Sequence, residues 1–78
     1  MSDADKMFEE LGYIKIVRYA GYAYYNEDDG NYIYIHNNNL VEITQMDGGY
    51  AGFTYDELNK VTKAINRKIK EMRCNGEI

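Results

Sequence analysis

Between Tyr13 and Met46 the apolar residues recur at every second position, and the run breaks only at Ala20-Gly21, at Glu27-Asp28-Asp29-Gly30-Asn31 and at Asn37-Asn38-Asn39. Alternation over segments this short marks half-buried strands, and the breaks have the composition of turns. The predicted strands are 13–19, 22–26, 32–36 and 40–46, and their short connections make an antiparallel meander the simplest topology. Ile14, Ile16, Ile33, Ile35, Val41 and Ile43 are expected on one sheet face. Tyr13, Lys15, Val17, Tyr19, Tyr32, Tyr34 and His36 are expected on the other.

Both flanks switch to helical spacing. Ala4, Met7, Phe8 and Leu11 mark a helix over 3–11, capped by Ser2 or Asp3 and stopped by Gly12. Thr54 and Glu57 form a T-x-x-E capping box, Phe53 and Leu58 fit a hydrophobic staple, and Asn75-Gly76 closes the element, so a second helix is predicted over 54–73. Its stripe of Leu58, Val61, Ile65, Ile69 and Met72 should lie across the isoleucine face. The expected fold is one α+β domain over 1–78, with two layers, the first helix at one edge and the other sheet face uncovered. A chain of 78 residues buries only about 60% of its unfolded surface, so a binding site is expected as a groove or between two copies.

Nine residues are tyrosine, and seven of them lie between Tyr13 and Tyr34, more phenol rings than a one-sided core needs. One expectation is a homodimer or partner interface made by Tyr13, Val17, Tyr19, Leu40 and Met46. Another is a platform on which a nucleotide base stacks against Tyr24, Tyr32 and Tyr34 with His36 hydrogen-bonding to it. Plain cross-strand packing with the hydroxyls in water is the third. The connector Gly48-Gly49-Tyr50 leading to Thr54 is an arrangement in which amides and a helix start can hold a phosphate, although Asp47 would repel one and a simple turn explains the glycines equally.

The net charge of −4 is uneven: residues 1–53 carry nine acids against Lys6, Lys15 and Arg18, a net of −6, and residues 54–78 are net +2. That balance argues against general nucleic-acid binding. His36 is the only imidazole and Cys74 the only thiol, so neither a partnered nucleophile nor a zinc set is indicated, and Asp28-Asp29 lacks calcium-loop spacing. His36 with Glu42 is the nearest approach to an acid–base pair, a weak one, and the chain is expected to be no enzyme and to need no cofactor or metal. With no signal peptide, membrane-length apolar run or cysteine framework, the expected location is the cytoplasm.

Met7-Phe8-Glu9-Glu10-Leu11-Gly12-Tyr13, the tyrosine-rich strands between Asn/Asp turns, and Thr54-Tyr55-Asp56-Glu57-Leu58 followed by Lys60, Ala64-Ile65-Asn66 and Lys68 carry a resemblance. The chain resembles small accessory proteins of phages and prophages of low-GC Gram-positive bacteria; Gly48 to Gly52 fall outside the shared pattern. The resemblance implies an inhibitor of bacterial immunity in the host cytoplasm. Such a protein would sequester a nucleotide-derived, ADP-ribose-like signal, as a homodimer, or alternatively would inhibit a host defence protein directly, as anti-CRISPR proteins do.

Overall fold

The computed structural model describes residues 2–78. Its elements run α1 (Asp3–Glu10), β1 (Tyr13–Arg18), β2 (Gly21–Asn26), β3 (Asn31–His36), β4 (Val41–Gln45) and α2 (Tyr55–Cys74). The strands form one antiparallel sheet in the order β1-β2-β3-β4, and both helices cover the same face of it. This is the α+β meander expected from the sequence. No helix among the described residues is long and apolar enough to cross a membrane.

Local chemistry sets the helix ends. The Ser2 hydroxyl accepts the Asp5 amide at 3.0 Å, and Gly12 leaves α1 with φ of +89°. The Thr54 hydroxyl accepts the Glu57 amide, and the Glu57 carboxylate accepts the Thr54 amide in return, completing the capping box. At the far end, the Gly76 amide bonds to Arg73 and the Glu77 amide to Met72, a Schellman turn that sends the chain back toward the sheet. The helix stripe is rotated from the expected one. Val61, Ala64, Lys68 and Met72 are buried, Ile65 and Ile69 are half-buried, and Leu58 is exposed.

The core consists of Phe8, Tyr13, Tyr24, Ile33, Ile35, Val61, Ala64 and Met72. It corrects two expectations. Tyr13 is buried against Phe8, ring centroids 5.8 Å apart, and Tyr24 is fully buried with its ring stacked on Phe8. The register then places Tyr13, Lys15 and Val17 on the helix side of β1, and turns Ile14 and Ile16 to the open side beside Tyr25 and Ala23. The physical reason is the tight Leu11-Gly12 exit from α1: Tyr13 is tied under the helix it has just left, and one fixed residue sets the facing of a whole strand. β3 and β4 keep the expected facing, with Ile33, Ile35, Val41 and Ile43 toward the helices.

A charged cluster closes the helix layer over β1 and β2. Asp5 accepts from Tyr24 Oη at 2.6 Å and from Lys15 Nζ at 2.8 Å, and lies 3.3 Å from Lys68 Nζ. Burial by itself would raise the Asp5 carboxyl, but the hydrogen bonds from Lys15 and Tyr24 and the charges of Lys68 and Lys15 hold it down at about 2. Lys68 also sits 4.1 Å from the centre of the Tyr22 ring, and Tyr22 donates to Glu77 at 2.6 Å. That bond, with burial, pushes the Tyr22 hydroxyl up to about 12.

Candidate functional site

The sheet face away from the helices is the candidate site. Cross-strand rows place Ile14, Tyr25, Tyr32 and Thr44 side by side, then Ile16, Ala23, Tyr34 and Glu42, then Arg18, Gly21 and His36. Alternation puts these side chains there, and among the described residues no element covers them. Ile14 and Ile16 are 49% and 37% exposed, enough to make an apolar border along β1.

The rings of this face pack on one another. Tyr34 and His36 stack with centroids 3.8 Å apart and planes 6° from parallel, and Tyr32 stands edge-on to Tyr34 at 6.5 Å. Arg18 places its guanidinium 5.2 Å from the Tyr34 centroid and donates to the Tyr32 hydroxyl. His36 Nε2 lies 2.5 Å from Glu42 Oε1. Gly21 makes the close crossing possible. Its φ is +150°, and a Cβ there would stand 2.0 Å from the Ile35 carbonyl oxygen.

Of the expected ligand residues, Tyr32, Tyr34 and His36 are brought together on β3. Tyr24 is not among them, since it lies beneath α1 on the opposite face. Gly48, Gly49, Tyr50 and Thr54 follow the far end of β4, where the Met46 amide bonds to Gly30, so they sit at the other end of the sheet from His36. β3 alone spans roughly 17 Å, so one base on His36 and one phosphate on Gly48 are poorly matched. The connector's groups are also engaged internally: Asp47 accepts the Gly49 amide at 2.9 Å, and the capping box occupies the Thr54 end. Tyr50 is fully exposed and stands apart.

The expected interface residues are likewise scattered. Tyr13 is core, Val17 is exposed on the helix side of β1, Tyr19 projects from the β1–β2 turn, and Leu40 and Met46 flank β4 at its two ends. Residues that the sequence reading missed are Ile14, Ile16, Tyr25 and Arg18. Tyr25 could have been found, because Tyr24-Tyr25 must place one ring on each face.

Acidic groups gather at one end of the sheet. The β2–β3 turn brings Glu27, Asp28 and Asp29, the β4–α2 connection brings Asp47, and the first turn of α2 adds Asp56 and Glu57. No group of three or more His, Cys, Asp or Glu among the described residues is placed to hold a metal ion. No protein-family profile, curated protein or solved structure matches the chain.

Proposed function

We propose that this chain is a non-enzymatic binding protein whose open sheet face engages another protein, one that offers an apolar centre and a basic rim. The observation that carries this is the mutual packing of Tyr34 and His36: at 3.8 Å they are already in stacking contact, so a planar base has no slot between them. Ile14, Ile16, Tyr25 and Tyr32 instead make a broad apolar-aromatic band of the kind found at the centre of protein interfaces. The acidic end beside it complements a cationic surface, such as a nucleic-acid-binding groove. Under the phage resemblance, that partner is a component of a bacterial defence complex.

A second reading has one observation in its favour. Arg18 reaches Tyr32 and Tyr34, which puts a cation beside the rings as an ADP-ribose-like ligand would require. Such a ligand would lie on the outer faces of the rings and be sequestered there.

The test is co-purification from the bacterial host with the intact chain, an Ile16→Asp variant and a Tyr50→Ala control, alongside native mass spectra with ADP-ribose and adenine dinucleotides. A partner held in fixed stoichiometry by the intact chain and Tyr50→Ala, lost with Ile16→Asp, and no nucleotide adduct, is the expected outcome. A nucleotide adduct abolished by Tyr34→Ala, with no protein lost through Ile16→Asp, would reverse the two readings.

A further inference from the structure

The two edges of the sheet differ. β1 is flanked by α1 and carries Lys15 and Arg18, charges that discourage a second strand from adding. β4 has the sequence Val41-Glu42-Ile43-Thr44-Gln45, with no lysine, arginine or proline to guard it, and Ile43 is 40% exposed although it points to the helix side. The chain holds no proline at all.

The hydrogen-bond phase of β4 can be read from its ends. The His36 amide donates to the Leu40 carbonyl, and the Met46 amide to the Gly30 carbonyl. Alternation in an antiparallel ladder then turns the backbone of Glu42 and Thr44 inward to β3 and points the N–H and C=O groups of Val41, Ile43 and Gln45 out of the sheet; the Gln45 carbonyl there already accepts the Gly48 amide at 2.9 Å, which leaves Val41 and Ile43 as the open edge.

We infer that β4 pairs antiparallel with β4 of a second copy of this chain about a two-fold axis at Ile43, joining two sheets into one of eight strands. Ile43 is the midpoint of β4, so this register uses the whole strand. Val41 faces Gln45 of the second copy, and the two Ile43 residues exchange both of their backbone hydrogen bonds across the axis. Glu42 faces Thr44 of the second copy, so no carboxylates oppose each other, whereas an axis at Glu42 would set two of them directly across the ladder. The two Ile43 side chains meet on the helix side and cover apolar surface that α2 leaves open.

Edge geometry alone carries this pairing, and it stands whether or not the open face binds a protein. If that face does so, the pairing also settles a shortfall of area. Four strands about 4.8 Å apart and roughly 20 Å long give a footprint of roughly 400 Å², about half of the ~800 Å² each partner contributes to a standard interface. Two copies supply the rest, as one continuous face.

Sedimentation equilibrium over a concentration series, on the full chain with Cys74→Ser to remove its exposed thiol, is the first measurement. A reversible dimer is expected, and Ile43→Pro, which removes a donor the monomer does not use, should raise its dissociation constant at least about tenfold. Disulfide trapping gives the register. Opposed residues in a hydrogen-bonded antiparallel pair lie about 5.5 Å apart between Cα atoms, within disulfide range, so Ile43→Cys should cross-link rapidly and Thr44→Cys should not. A monomer at every concentration, or equal trapping at 43 and 44, would overturn the inference; partner capture lost while the dimer persists would instead count against the face reading alone.

Discussion

Phe8 and Tyr24 lie face to face, their rings 3.8 Å apart and 12° from parallel, and this stack joins α1 to the middle of the sheet. Phe8→Ala should therefore destabilise the fold by roughly 3–5 kcal/mol in urea unfolding. Tyr24→Phe keeps the ring but removes the donor to Asp5, and should cost about 1–2 kcal/mol. Wild-type stability in Tyr24→Phe would contradict a buried Tyr24–Asp5 bond.

Asp5 makes the stability sensitive to acid. Its carboxyl ionises at about 2 in the folded chain against 3.8 as its ordinary value, so its contribution is complete above that ordinary value and is lost as pH falls through about 2. Asp5→Asn should flatten the acid limb of a thermal-melt series and, by leaving buried Lys68 only the longer 3.9 Å contact to Glu71, destabilise the fold by roughly 3 kcal/mol at neutral pH. Adding Lys68→Met should recover most of that loss. No recovery would mean that the pair does not act through buried charge.

Tyr22 works in the opposite direction. Its hydroxyl is raised from 10.0 to about 12 by its bond to Glu77, so its contribution is full below 10 and disappears as pH rises through 12. Glu77→Gln should lower the pH at which Tyr22 ionises in an ultraviolet difference titration. An unchanged titration curve would show that Glu77 does not hold the hydroxyl.

Two glycines with unusual backbone angles should respond unequally to alanine. Gly48 has φ of +86° with nothing near the position of a Cβ, so Gly48→Ala should cost only about 1 kcal/mol. Gly21→Ala adds a collision with the Ile35 carbonyl, and should cost roughly 2 kcal/mol or more while disturbing Arg18 and His36 chemical shifts. Equal losses would argue against the close crossing at Gly21.

The elements were legible in the sequence because period, turn residues and caps all agreed: the Thr54/Glu57 box, Gly12 and the Asn37–Asn39 turn, with Asn39 at φ of +74°, mark their boundaries. The facing of β1 was not legible. Tyr13, Ile14, Ile16 and Val17 are apolar on both sides, and α1 decides between them through the Phe8–Tyr13 contact, which no local pattern contains. The site was legible in part for the same reason. Strand β3, with isoleucine and tyrosine in strict alternation, has one sensible facing, so Tyr32, Tyr34 and His36 lie on the open face as expected, whereas Tyr24 was assigned to the wrong side and Ile14, Ile16 and Arg18 were not expected there. The acidic end depends on topology, because it joins loops distant in the chain.

The most direct measurement is hydroxyl-radical footprinting of tyrosine side chains in the free chain and in the complex recovered from its host. Oxidation of Tyr25, Tyr32 and Tyr34 should fall severalfold on binding while that of Tyr50 and Tyr55 stays constant. Protection of Tyr50 and Tyr55 with Tyr25, Tyr32 and Tyr34 unchanged would contradict the open sheet face as the binding surface.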